Sequence, residues 1–476
     1  MPRPPDLGTL GELRAVVGGG AWLDSPEDTA PFLADFRRLY RGATPLVLLP
    51  RSVDEVARIL GICDREQVAV VPHGGNTSYC GGATPDETGS QVVLCLRRLN
   101  RIRQIDAANY SMIVEAGCTL AETQAAAREA DRLFPLSLGS EGTAQIGGNL
   151  STNAGGTAVL RYGMMRDLVL GLEVVLADGR VLQSLKSLRK DNTGYDVKSL
   201  FVGAEGTLGI ITAACLKLFP QPADTATALV GIDTPQQALD LLARLRTAAG
   251  DQVTSFELIP RLGVELTVKH VPGVADPLSQ NAPWYLLIEL SSPNPQQSLL
   301  TLLATALEDA AARGGIQDAM IAGSIAQAQA MWKLRESVPE AQRRHGASLK
   351  HDVSVPVSAI PALIEEGSAL ARRLAPEGDV ISYGHAGDGN LHFNVSQKTG
   401  ADIKSFMARG PVLELAMFDL VESLGGSISA EHGIGRLKAA EFARRADPVE
   451  LAVMRELKRA LDPKGILNPG KVLCAP

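Results

Sequence analysis

The sequence predicts an α+β protein: an amino-terminal domain over 1–222, a second domain over 223–430, and a small, mainly helical carboxy-terminal segment over 431–476 packing back on the first domain. Three observations carry this expectation. A chain of 476 residues exceeds what one ordinary hydrophobic core holds, so two or three domains are expected. Pro220 and Pro222 stop a long apolar run, and the texture of the chain changes after them. Beyond that point the apolar runs follow the order strand, helix, strand, strand, helix, strand, which is the ferredoxin-like, split βαβ plan of an independent domain.

Residues 1–45 read as helical with a loop. Ser52 and Glu55 have capping-box spacing and open a helix through VARILGICDRE, with Ser52 as cap and Glu55 reaching back. VAVVP (68–72) is a buried strand running into HGGNTSYCGG (73–82). QVVLCL (91–96) and SMIVEAG (111–117) are further strands, and LAETQAAAREADRL (120–133) is a helix of good formers. From Phe134 to Gly156 the chain is polar, glycine-rich and without period. LVLGLEVVLADGRVL (168–182) is two strands joined by the hairpin signal Asp178-Gly179, and GTLGIITAACLKLFP (206–220) is a strand pair or one long strand. In the second domain TPQQALDLLARLRTAAG (234–250) is a helix with Thr234 as cap, Pro235 at the first position and Gly250 as stop. TSFELIP and WYLLIELS (284–291) are strands, 295–313 a helix, 318–322 a strand and 358–376 another helix. VISYGHAGDGNLHFNV (380–395) is a hairpin turning at Asp388-Gly389-Asn390. From Glu431 a helix or two lead to the closing LDPKGILNPGKVL.

Composition narrows the function. The hydrophobic share of 45% and charged share of 21% are those of a globular protein, so disorder is not expected. A net charge of −7 with no dense Lys/Arg block argues against nucleic acid, and an anion would need a local Arg/Lys pocket. Six scattered cysteines without a CxxC pair offer neither a zinc knuckle nor a redox dithiol, and reduced thiols in a cytoplasmic protein are expected. The opening MPRPPDLGTLGEL lacks a targeting pattern, and no run of ~18 apolar residues spans a membrane.

Two glycine-rich segments, Val71–Gly82 and Pro135–Gly156, follow neither the Rossmann nor the Walker A pattern. Each offers consecutive backbone N–H groups beside small hydroxyls: Thr77 and Ser78 in one, Ser140, Thr143, Ser151 and Thr152 in the other. That is the chemistry of an anion nest suited to a pyrophosphate. Residue chemistry alone leaves such a nest and two ordinary surface loops both open. A third cluster, Gly203-Ala-Glu-Gly-Thr-Leu-Gly209, has side chains small enough for a flat ring to lie against backbone.

VVPHGGNTSYCGG, PLSLGSEGTAQIGGNLSTNAGG and LFVGAEGTLGIIT, in that order, resemble the FAD-binding stretches of the vanillyl-alcohol-oxidase (PCMH-type) flavoproteins over roughly residues 45–222. The resemblance implies a PCMH-type FAD-binding domain with the FAD pyrophosphate between loop 72–82 and segment 138–156. The implied contacts are Pro72, Gly74, Gly75, Asn76, Thr77, Ser78, Gly81 and Gly82; Leu138, Gly139, Ser140, Gly142, Thr143, Gly147, Gly148, Ser151, Thr152, Asn153, Gly155 and Gly156; and Glu205, Gly206, Gly209, Ile210 and Asn468. Some members of that family carry the flavin on a histidine of a GGH pattern. Asn76 stands there instead, so non-covalent FAD is expected, and His73 is read as an ordinary polar residue.

Of seven histidines, His385 ends the first strand of the 380–395 hairpin and His392 lies on the second. On one straight strand a separation of seven faces opposite sides, but across a hairpin both can face one point. His392 and Asn394 share a face. Two converging imidazoles suit a divalent metal, and Ser429-Ala-Glu-His-Gly-Ile-Gly435 offers Glu431 and His432 in a glycine-flanked turn. Spacing leaves a metal site and a tight hairpin bearing ordinary histidines both open.

GHAGDGNLHFNV and SAEHGIG, with WKLRESVPEA (332–341) and LKHDVSVP (349–356), resemble the D-2-hydroxyglutarate dehydrogenase group of FAD-linked D-2-hydroxy acid dehydrogenases; D-lactate and glycolate dehydrogenases share the GDGNLH and EHGIG motifs. The resemblance implies that His385, His392 and Glu431 hold a divalent metal, zinc first and manganese second. It also implies that His432 is the general base and that Arg335, Lys350 and Asn394 hold substrate. The expected reaction oxidises a D-2-hydroxy acid to the 2-oxo acid, the C2 hydride going to flavin N5 and the electrons to a carrier such as an electron-transfer flavoprotein or a quinone. D-2-hydroxyglutarate is the first substrate expected, with D-lactate, D-malate and glycolate behind it. An oxidase using oxygen and a non-catalytic flavin-binding subunit are the rival readings, and a homodimer is the expected assembly. One departure stands out: the family pattern has a threonine four residues after the arginine, and here that place is Pro339, which has neither hydroxyl nor N–H.

Overall fold

A computed structural model describes residues 2–474, and its contacts divide the chain into two units. The first comprises Met1–Gly156, Gly163–Gln221 and Glu431–Pro476, the second Thr157–Tyr162 and Pro222–Ala430.

The first unit holds a four-stranded sheet in the order Trp22–Leu23, Val47–Leu48, Gln91–Cys95, Ala69–His73, the last three running parallel. Helix Val53–Glu66 buries Val56, Ile59, Leu60 and Cys63. That stripe of i, i+3, i+4, i+7 spacing packs with Val70, Val92 and Leu94. Ser52 caps the helix by accepting from the Glu55 N–H, but the Glu55 carboxylate accepts from the N–H of Arg51 rather than from its cap, so the expected box is displaced by one residue. A complete box forms at Thr119 and Glu122 instead, on helix Leu120–Glu129. That helix stops short of the expected 133 because Arg132–Leu133 pairs as a strand with Phe219–Pro220.

A second, antiparallel sheet of this unit orders Ile102–Asp106, Ser111–Glu115, Ile210–Lys217, Val169–Val175 and Val181–Ser184, the last two joined through Asp178-Gly179 as expected. Within Pro135–Gly156, where no period is legible, Ile146–Ser151 forms a short helix burying Ile146 and Leu150. The carboxy-terminal segment adds helices Ala439–Arg445 and Pro448–Leu461. It then docks along the four-stranded sheet: Val70 donates its N–H to Ile466 O, and Asn468 donates to Val70 O.

The second unit is built on a seven-stranded sheet in the order Asp318–Ile321, Asp224–Ile232, Trp284–Ser292, Val253–Pro260, Gly378–His385, Asn390–Gln397, Ser348–Ser354, every neighbour antiparallel. The first four strands are the split βαβ module, and the 380–395 hairpin with Ser348–Ser354 extends it. One face buries Val230, Phe256, Leu258, Phe393 and Val395 under helices Pro235–Ala249, Leu299–Ala312, Ile360–Leu374 and Gly410–Ser423. The opposite face buries Ile259, Tyr285, Leu287, Ile381 and Tyr383 under Arg261–His270, Ile325–Glu336 and Val338–His345. Residues 157–162 belong here because Ser255 Oγ on the Val253–Pro260 strand donates to Thr157 O at 2.8 Å; nothing in the sequence signals that excursion. Among the described residues no helix is long and apolar enough to cross a membrane.

Candidate active site

Strand register assembles the polar face of the second unit. Glu257 pairs with His385, Tyr383 with His392 and Ile381 with Asn394, Asp352 with His392 and Lys350 with Asn394. Directly paired residues share a face and alternate residues return to it. Glu257, Tyr383, His385, His392, Asn394, Lys350 and Asp352 therefore all stand on the face covered by the Arg335 helix. The His385 and His392 rings lie 5.7 Å apart and offer nitrogens within 4.8 Å of each other. The turn between them depends on Gly389, whose φ is 92° and where a Cβ would lie 2.1 Å from Val355 O.

Glu257, which sequence reading missed, organises this face. It is 1% exposed; Oε1 lies 2.6 Å from His385 Nδ1 and Oε2 accepts from Arg335 at 2.8 and 2.7 Å. Burial pushes its carboxyl up, but the charges of His385 and Arg335 and their hydrogen bonds outweigh that and hold it at about 2. An ionised carboxylate only accepts. In the neutral form of His385 the single proton therefore belongs on Nδ1, the arrangement of a ligating imidazole backed by a carboxylate. The one sequence signal is that Glu257 is the sole charge in TSFELIP.

Arg335 is 6% exposed and stacks 4.9 Å over the Tyr383 ring. It is neither a solvated helix charge nor an uncommitted fork, since its Nε and one terminal nitrogen already donate to Glu257. Asn394 donates its Nδ2 to Gln342 Oε1 at 3.0 Å, and Gln342 Nε2 donates to Ser396 Oγ at 3.1 Å. The fully buried Gln342 thus fixes the amide of Asn394, a second partner that the sequence did not suggest. Pro339 falls in the first turn of helix Val338–His345, where a missing N–H costs nothing.

The residues expected at FAD all lie in the first unit. Pro72 is on strand Ala69–His73 and Gly74 to Gly82 form the loop after it. Leu138 to Thr143 form a second loop, and Gly147, Gly148 and Ser151 lie on the short helix with Thr152 to Gly156 beyond it. The two segments press together: a Cβ on Gly75 would lie 2.1 Å from Thr143 O. Among the described residues the N–H groups of Gly75, Asn76, Thr77 and Ser78 make no hydrogen bond, which suits an anion nest. The hydroxyls of Ser151 and Thr152 donate to Gly147 O and Gly148 O.

The fit to a large polar cofactor is visible in what lacks a partner. Both ring nitrogens of His73, Gln145 Oε1, Asn149 Nδ2 and Asn468 Oδ1 are buried without a hydrogen bond among the described residues. A Cβ on Gly139, Gly142 or Gly148 would meet nothing within 4 Å, so one side of this segment is open.

Glu205, expected among the FAD contacts, also has partners within the protein. Its carboxylate accepts from Ile434 N at 2.7 Å and Gly435 N at 2.8 Å, and Asn468 Nδ2 donates to Glu205 O at 2.8 Å. Burial pushes this acid up in pKa, against the pull of those backbone N–H groups. Its side chain thus anchors the turn bearing Glu431 and His432. Glu431 Oε1 accepts from Gly156 N at 2.8 Å, and His432 stacks 4.5 Å from Tyr79. Of the residues expected at the metal, His385 and His392 belong to the second unit and Glu431 to the first.

The comparisons with known proteins agree with this division. Residues 44–184 match the FAD binding domain family and residues 221–472 the family of FAD linked oxidases, C-terminal domain. A D-2-hydroxyglutarate dehydrogenase, mitochondrial, of Arabidopsis thaliana is 38% identical over 442 residues, covering 92% of this chain and 77% of that protein. The Bos taurus protein of the same name is 39% identical over 465 residues, covering 98% and 83%. The solved structure of p-cresol methylhydroxylase with substrate bound superposes with a TM-score of 0.74 at 18% identity, over 99% of this chain and 98% of that one, which shows the PCMH-type fold. The chain belongs to the FAD-linked oxidases and, among them, to the D-2-hydroxyglutarate dehydrogenase group of FAD-dependent D-2-hydroxy acid dehydrogenases.

Proposed function

We propose that this enzyme oxidises D-2-hydroxyglutarate to 2-oxoglutarate with metal assistance and passes the electrons to a carrier such as an electron-transfer flavoprotein or a quinone. The observation that carries the proposal is the single sheet face bearing His385, His392, Asn394 and Lys350, with Glu257 backing His385. The names of the curated relatives supply the substrate. Bound FAD supplies the hydride acceptor. His385, His392 and Glu431 would hold a divalent metal, zinc before manganese, which would supply Lewis acidity to lower the pKa of the substrate hydroxyl. His432, near neutral in its ordinary pKa, takes the C2 hydroxyl proton. Lys350 offers a point charge and Asn394 a fixed amide to one carboxylate, while the free edge of Arg335 faces the other.

A shorter substrate such as D-lactate, D-malate or glycolate is the second reading. Two observations favour it: Glu257 already neutralises Arg335, and Pro339 has no hydroxyl. We also propose a cytoplasmic location; the six free cysteines fit a reducing compartment.

Anaerobic flavin bleaching with a panel of D- and L-2-hydroxy acids, before and after chelator, tests the proposal. D-2-hydroxyglutarate is expected to bleach fastest, chelator to abolish bleaching, and zinc or manganese to restore it. His432→Ala is expected to slow bleaching roughly 10²–10⁴-fold with FAD content unchanged. Bleaching by no hydroxy acid, or bleaching at the wild-type rate in His432→Ala, overturns it.

A further inference from the structure

We infer that Glu257 is a positioning residue that couples metal affinity to substrate affinity, one oxygen fixing the ligating nitrogen of His385 and the other holding Arg335. The inference rests on the metal reading above and adds a residue outside the expected set.

A lone carboxylate in a sheet core is costly unless paired. Glu257 sits on a strand whose eight residues are all buried. Its neighbours Phe256 and Leu258 turn to the opposite, apolar face, and no other charged residue stands on that strand. The register Glu257↔His385 places it beside the imidazole by backbone pairing rather than by side-chain reach. Its two oxygens are divided between two partners: Oε1 to His385 at 2.6 Å, Oε2 to Arg335 Nε at 2.8 Å. The division has two effects. The imidazole is held in the tautomer that presents Nε2 and is made more basic, which strengthens metal binding. The guanidinium is pinned against Tyr383, with the donors of its remaining terminal nitrogen left for an anion.

A glutamine at 257 keeps the shape but cannot serve both partners, because its amide NH₂ would face either the Nδ1–H of His385 or the guanidinium. The test uses the FAD-loaded enzyme, stripped of metal and titrated with zinc against a chromogenic chelator, alongside KM for D-2-hydroxyglutarate. Glu257→Gln is expected to weaken zinc binding roughly 10–100-fold and to raise KM. Arg335→Met is expected to raise KM while zinc affinity stays near wild type, a split that a general loss of packing would not produce. Because the single glutamine variant leaves Arg335 buried and unpaired, Glu257→Gln/Arg335→Met provides a partner-free control, and its zinc affinity is expected to fall as in Glu257→Gln. A double variant that binds zinc as tightly as wild type overturns the inference while leaving the metal reading intact. A wild-type enzyme that takes up no zinc overturns the metal reading, and the His385 half of the inference with it.

Discussion

Pro339 and Arg335 pose the specificity question at the scale of single residues. Part of the charge of Arg335, the proposed anchor for a substrate carboxylate, is already met by Glu257. Four residues on, Pro339 occupies a first-turn helix position at which a threonine would supply a hydroxyl. Pro339→Thr is expected to lower KM for D-2-hydroxyglutarate roughly fivefold, the worth of about 1 kcal/mol for one hydrogen bond, and to leave KM for D-lactate unchanged. Steady-state kinetics on both substrates check this, and parallel shifts in the two KM values would mean that position 339 does not read the distal carboxylate. Arg335 itself was legible only through its surrounding WKLRESVPEA motif. Glu257 was not legible at all, because a single acid in an apolar strand acquires its role from a pairing partner 128 residues away.

At the scale of elements, the hairpin was readable because its turn residues lie between two apolar runs, and the observed register Tyr383↔His392 is the one that brings His385 and His392 to the same face. Strand Ser348–Ser354 was harder, since Lys350, His351 and Asp352 stand in a row and hide the alternation that marks a strand. Helix Ile146–Ser151 was hidden by the two glycines within its six residues, which lower helix propensity. The turn is also where the face bearing His385 and His392 is most easily broken. At Gly389, φ is 92° and Val355 O lies where a Cβ would go, so alanine there must strain the backbone and push the two strands apart. Gly389→Ala is expected to cost about 1–3 kcal/mol and to weaken zinc binding by more than tenfold, an order-of-magnitude loss like that of a misplaced ligand support. Thermal melts and zinc titration measure the two effects, and a variant that melts lower but binds zinc normally would detach the hairpin turn from the proposed metal site.

For the whole molecule, the response to acid depends on groups that the fold leaves no room to charge. His73 ends strand Ala69–His73 of the first unit, is 7% exposed, and has its ring 4.9 Å from Phe32 and both nitrogens without a hydrogen bond among the described residues. Burial above all, opposed by the backbone at Gly74 and aided by the Arg97 charge, pushes its pKa from 6.5 down to about 4. The sign follows from proton uptake. Above pH 6.5 the imidazole is neutral in both folded and unfolded chains and contributes nothing to the pH dependence. Between 6.5 and 4 the unfolded chain binds a proton that the folded chain refuses, so stability falls by up to 1.36 kcal/mol per pH unit. The loss approaches about 3 kcal/mol and levels off below pH 4, where the folded form also takes the proton. Carboxylates add slopes of their own, so the contribution of His73 is read as a difference between proteins. His73→Leu is expected to gain on wild type steadily from pH 6.5 to 4 and to show no such trend from pH 8 to 7. Unfolding followed across that range checks it, and a difference that stays constant with pH would mean that the imidazole finds a proton acceptor or donor in the folded enzyme, the bound flavin being the obvious one to test by repeating the series on flavin-free protein.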